Sequence, residues 1–261
     1  MKFYPLKFIP IYKEKIWGGK NIQTFFHRTL TKNNIGESWE VAAHKNGESK
    51  ISNGRYQGSG LKSLFKKYPK ELLGQNFEDT DSDRFPLLVK ILDANDKLSV
   101  QVHPDNQYAK KIENELGKTE MWYILDAKEN AKLVYGVKDD TDKNSFAKAI
   151  NEGNLENYLN EIVVSKGDVI FIPAGTVHAI EEGILLAEIQ QNSDTTYRVY
   201  DWNRTDKDGQ SRQLHVDKAL DVINFDQDIS NAKAKILRKQ LEGYTRSFLA
   251  ACPYFITEKI E

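Results

Sequence analysis

The chain has 261 residues, 39% hydrophobic and 29% charged, with a formal net charge of −1. That balance supplies a core for one large domain or two small ones, and it excludes a global electrostatic pull toward nucleic acid or an anionic membrane. A single cysteine, Cys252, rules out an intrachain disulfide. The N-terminal stretch is broken by Pro5, Lys7 and Pro10, and no run approaches the roughly 20 apolar residues of a membrane span, so a cytoplasmic protein is expected.

Residues 3–12 carry two prolines and predict an extended edge strand, followed by a turn at Trp17-Gly18-Gly19. Residues 36–44 (GESWEVAAH) predict a second strand. Within 59–74, Leu61, Leu64 and Phe65 fall at helical spacing and Pro69 interrupts, giving one or two short helices. The apolar run at 85–96 (FPLLVKILDAND) predicts a buried strand. In 98–103, Leu98, Val100 and Val102 alternate with Ser99, Gln101 and His103. Period two therefore puts a hydroxyl, an amide and an imidazole on one face, which is not how a strand packs a core.

Residues 106–115 predict a helix stopped by Gly117, 119–127 a strand, and 144–161 a helix, turn and helix. The stretch EIVVSKGDVIFIPAGTVHAI predicts strand, turn, strand, tight turn, strand. Residues 183–202 are strand-rich, 212–242 helical or irregular, and SFLAACPYFITEKIE predicts a closing strand pair. Many short strands with Gly and Pro turns argue for an all-β sandwich or barrel with helical insertions.

The strongest local pattern is GDVIFIPAGTVHAI, 167–180. Gly167 allows a tight turn, and Gly175 a positive φ just before His178 begins a strand. The spacing of Gly167, Pro173, Gly175 and His178 is similar to the second signature of the cupin barrels, with Glu182 where that signature usually carries Asn. The segments FPLLVKILDANDKLSVQVHPD, GKTEMWYIL, IPAGTVHAI and EIQQNSDTTYRVYDW, with WGG and ESWEVAAH upstream, run through nearly the whole chain. Together they resemble the type I phosphomannose isomerases.

That resemblance implies a cupin (jelly-roll) barrel with α-helical insertions over 1–202. It implies a helical or irregular connection and the start of a truncated second cupin-like part over 203–261. One zinc ion per chain would be held by Gln101, His103, Glu120 and His178. Arg198 and Lys118 would stand at the catalytic centre, with Lys90 and Ser99 lining the substrate pocket. The reaction implied is interconversion of mannose 6-phosphate and fructose 6-phosphate through a cis-enediol. The partner expected is a phosphorylated hexose, without nucleic acid or membrane, on a monomer or weak homodimer.

The chemistry is compatible. Two imidazoles, a carboxylate and an amide oxygen suit zinc, though iron and manganese tolerate the same set. Plainer roles exist for each residue. Glu120 could be a rim carboxylate, and Gln101 could hold a water beside the metal. Arg198 could pair with Asp194 or Asp201, Lys118 could lie alongside the site, and Lys90 could reach the surface from its apolar run. His27, His44 and His215 are read as structural, Trp17, Trp39 and Trp122 as core, and Cys252 as buried and inert. Two rival functions share parts of the pattern: a sugar-phosphate-binding cupin without turnover, and a metal-dependent dioxygenase, which also uses two His and a Glu. The basic residues around the site argue against the second.

Overall fold

The structure, a computed structural model, describes residues 4–74, 84–205 and 208–261. Two antiparallel sheets face each other. The larger has six strands in the order Val169–Ile172, Glu120–Ala127, Ile184–Gln191, Leu87–Ala94, Ile35–Val41, Ile11–Gly19. The smaller has five: Leu159–Val163, Lys132–Val137, His178–Ile180, Val100–Val102, Tyr197–Tyr200. The all-β cupin architecture with helical insertions is therefore the one observed.

The layers follow from the alternation of side chains. Leu92, Trp122, Ile124, Ile170, Ile184 and Leu186 of the large sheet meet Leu98, Leu133, Tyr135 and Ile180 in the central core. On the outer face of the small sheet, Val100, Val102, Val134, Ala179 and Val199 pack against Phe146, Ala149, Ala219 and Ile223, from the helices Lys143–Glu152 and Val216–Val222 and the residue after them. The valines of 98–103 thus face helices, and Ser99, Gln101 and His103 face inward as their alternation predicts, whereas Leu98, expected on the valines' face, lies before the strand Val100–Val102 and joins the central core. A three-stranded sheet, Leu237–Leu241, Tyr244–Ala251 and Ile256–Ile260, packs Leu249, Ala250 and Phe255 on Met121 and Val169 of the large sheet.

Several local expectations need correction. Trp17-Gly18-Gly19 ends the edge strand Ile11–Gly19 rather than forming a separate turn. The helix Asn106–Glu113 is stopped by Asn114 in the left-handed region, φ 51°, not by Gly117. Gly117 instead permits a close approach of two chain segments, since an added Cβ would collide with the Asp105 carbonyl carbon. The second helix expected in 144–161 is a single 3-10 turn at Leu155–Tyr158, after which Leu159–Val163 pairs as an edge strand with Lys132–Val137. In 212–242, Leu237–Leu241 is a strand.

The candidate metal and substrate site

The interior of the large sheet changes character along its strands. At one end it is apolar; at the other it presents Lys15, Glu37, Lys90, Glu120 and Glu188. The two ligand-bearing segments are tied at their roots. The turn before His178 needs Gly175 at φ 88°, and the Gly175 N–H donates to the His103 carbonyl at 2.8 Å. The 104–117 excursion returns to where it left, because Lys118 N–H donates to the Pro104 carbonyl at 3.0 Å. A helix therefore intervenes in sequence between His103 and Glu120 without separating them in space.

His103, Glu120 and His178 converge, with one ligand atom from each within 4.8 Å of the others, and all three are buried. His103 Nδ1 lies 2.9 Å from the Thr195 carbonyl, and His178 Nδ1 lies 2.9 Å from that of Thr176. A carbonyl can only accept, so both Nδ1 atoms carry the hydrogen, and both Nε2 lone pairs face Glu120. The separations are 3.8 Å from His103 Nε2 to Glu120 Oε2 and 3.5 Å from His178 Nε2 to Glu120 Oε1. His103 Nε2 and Glu120 Oε1 are buried without a hydrogen-bond partner.

Lone pairs turned on a carboxylate repel unless a cation stands between them. The imidazoles do not supply that cation by protonation. Burial, helped by Lys118, holds His103 well below the usual imidazole range, and burial brings His178 down to about 4. Burial and the nearby Glu188 carboxylate push Glu120 up to about 7, although the Lys118 ammonium stands 2.9 Å from it. The two imidazoles carry no positive charge of their own toward Glu120, and a divalent metal would supply it. Gln101 lies directly opposite His178 in the small sheet, its amide 3.3 Å from His178 Nε2. Turning that amide over would present its oxygen to the same point.

A cavity of about 310 Å³ opens beside this cluster. Lys90, Ser99, Gln101, Lys118 and Arg198 line it, so the structure brings the expected substrate-side residues beside the candidate metal cluster. Arg198 stands opposite Gln101 on the neighbouring strand. It does not pair with Asp194 or Asp201. Asp201 is held instead by Arg204 and Arg212, and Arg198 donates one N–H to the Gln213 carbonyl at 2.9 Å, leaving Nε without a partner. Lys90 does not reach the surface: it is 4% exposed and pairs with Glu188 at 2.9 Å.

The cavity also contains residues that sequence reading passed over: Lys15, Glu37, Glu188, Asp194, Thr196 and Arg212, with Trp17 serving as both core and wall. Glu188 could have been noticed as a lone acid in the apolar run ILLAEIQQ, but its partner lies on another strand and only the register names it. The His44 ring meets Trp39 at 68° with its Nδ1 accepting from Asn46 N–H, apart from the His103–Glu120–His178 cluster. No helix is long and apolar enough to cross a membrane among the described residues.

Comparison with known proteins fits this geometry. Residues 6–156 match the family described as phosphomannose isomerase type I, catalytic domain. The mannose-6-phosphate isomerase ManA of Bacillus subtilis is 43% identical over 98% of this chain and 78% of its own length. The mannose-6-phosphate isomerase of Streptococcus mutans is 42% identical over 94% of this chain and 75% of its own. The crystal structure of the Bacillus subtilis mannose 6-phosphate isomerase superposes with a TM-score of 0.88 at 38% identity, covering 98% of this chain and 79% of that one. A zinc-bound mannose 6-phosphate isomerase, 15% identical over 94% of this chain and 83% of its own, shares the fold with a TM-score of 0.71.

Proposed function

The chain belongs to the type I phosphomannose isomerases, and from that premise we propose that it interconverts mannose 6-phosphate and fructose 6-phosphate with one zinc ion held by Gln101, His103, Glu120 and His178. The observation that carries the reading is the charge-deficient donor cluster beside a cavity lined by Lys90, Lys118 and Arg198. Three cations beside the donor cluster suit a phosphorylated hexose.

The reaction moves a proton from C2 of the open-chain aldose to C1, while a hydroxyl proton passes from O2 to O1. Taking the C2 proton leaves a cis-enediolate, with negative charge gathered on its oxygens, which becomes the cis-enediol when an oxygen takes up a proton. When bound, zinc would act there as a Lewis acid and offset part of that charge. Arg198 is assigned to the rest: its unpartnered Nε–H is a preorganised donor at the cavity wall. Lys118 is assigned to proton handling at the sugar oxygens, anchored by its ion pair to Glu120. Lys90 uses one N–H on Glu188 and keeps two for the substrate phosphate, joined by the Ser99 hydroxyl.

The test is a coupled assay on this chain: mannose 6-phosphate supplied, fructose 6-phosphate read out, before chelation, after it, and with zinc returned. Turnover that disappears with chelation and returns with zinc is the expected result. A metal-loaded, folded protein that binds the sugar phosphate without converting it would overturn the isomerase assignment in favour of a binding cupin.

A further inference from the structure

Four inward-facing residues stand in one row across four neighbouring strands. Trp122 lies opposite Glu188, Glu188 opposite Lys90, and Lys90 opposite Trp39 in the β register. Glu188 is 3% exposed, and its two oxygens are divided between its neighbours. Oε1 accepts from Lys90 Nζ at 2.9 Å, and Oε2 accepts from the Trp122 indole N–H at 3.1 Å. Burial would raise this carboxyl, but Lys90 and Lys118 bring it down to about 2, so it is charged.

Each arm ends at a functional element. The Trp122 ring meets the His178 ring edge-on, 5.4 Å between centroids at 77°. An indole has one N–H, and in this buried setting Glu188 is its acceptor, so the bond fixes the plane of the ring that His178 rests on. On the other side, Lys90 lies 5.6 Å over the Trp39 ring and lines the cavity. A buried ammonium holds such a position only beside an anion.

We propose that Glu188 is a positioning residue that serves two sites at once. Through Trp122 it seats the His178 imidazole for the metal, and through Lys90 it aims an ammonium into the sugar-phosphate cavity. The inference rests on the metal-site and substrate assignments made above.

Glu188→Gln tests it, because one of the two carboxylate oxygens becomes an NH2 group, which turns a donor toward either Lys90 or Trp122 and removes the charge. The measurements are zinc affinity by competition with a chelator, and calorimetric affinity of the zinc-loaded protein for mannose 6-phosphate, in a cycle with Trp122→Phe. Glu188→Gln should weaken zinc binding by about 10- to 100-fold, the usual effect of losing a group that orients a metal ligand. In the Trp122→Phe background the same change should weaken zinc no further, while its loss of sugar-phosphate affinity persists. Unchanged zinc affinity in Glu188→Gln, or an equal loss in both backgrounds, would overturn the proposal.

If Glu188→Gln does not fold, Trp122→Phe alone decides the metal arm. Weaker zinc binding with sugar-phosphate affinity retained supports it; unchanged zinc affinity refutes it. Neither readout requires turnover. A chain that obeys this cycle but does not isomerise would defeat the proposed function and leave the positioning role standing.

Discussion

The backbone N–H of Gly175 donates to the carbonyl of His103 at 2.8 Å, so the turn that presents one candidate metal-ligating imidazole is fastened to the residue that carries the other. Gly175→Ala attacks that fastening twice. Its φ of 88° is costly for a side chain, and the new Cβ would lie 2.9 Å from the Val222 carbonyl oxygen. A loss of about 1–3 kcal/mol is expected, with weaker zinc retention. Thermal melting and metal analysis of the purified variant check both; a variant as stable as the parent would remove the turn from the account.

Metal removal should destabilise the fold. A ligand that binds only the native state at 1,000 times its dissociation constant contributes about 4 kcal/mol. For a chain of this length, chelation should lower the melting temperature by on the order of 10 °C. Calorimetry with and without chelator measures it, and identical transitions would deny that the cluster binds metal.

Arg198→Ala should separate charge stabilisation from metal binding. Its guanidinium lines the cavity but lies outside the His103–Glu120–His178 cluster. Zinc content should match that of the parent while kcat falls by about 100- to 1,000-fold, the usual effect of losing a donor to a developing oxyanion. Normal turnover would end the catalytic assignment.

How much of this was legible in the sequence depended on how local the signal was. His178 and Gly175 belong to one short motif. The inward face of Ser99, Gln101 and His103 followed from strict alternation. Lys90 and Glu188 were isolated charges in largely apolar strands, and nothing nearby in sequence says that 98 residues separate partners 2.9 Å apart. Residues 159–161 read as the end of a helix. Pairing with Lys132–Val137 overrode that local pattern. Gly117 read as a helix stop because its true neighbour, the Asp105 backbone, lies across a fold of the chain.

Acid stability should report on Asp201. Burial would raise its carboxyl, but bonds from Arg212 and Arg204 hold it below the ordinary 3.8. The unfolded chain then binds more protons than the folded one between the two values. The contribution is fully present above about 3.8 and is lost as pH falls through the lower, folded value. Arg212→Gln should therefore shift acid unfolding to higher pH. Circular dichroism against pH reads the midpoint, and an unmoved midpoint would show that the pair adds nothing.

The 104–117 excursion closes on itself at Pro104 and Lys118. Its root behaves like the neck of a drawstring, with one thread running on through it: Asn106 Oδ1 accepts from both Gly117 N–H and the Gln191 side chain, and Gln191 in turn accepts from Thr119 N–H beside Glu120. A segment put in place of the helix Asn106–Glu113 would have to keep that amide for His103 and Glu120 to hold their places.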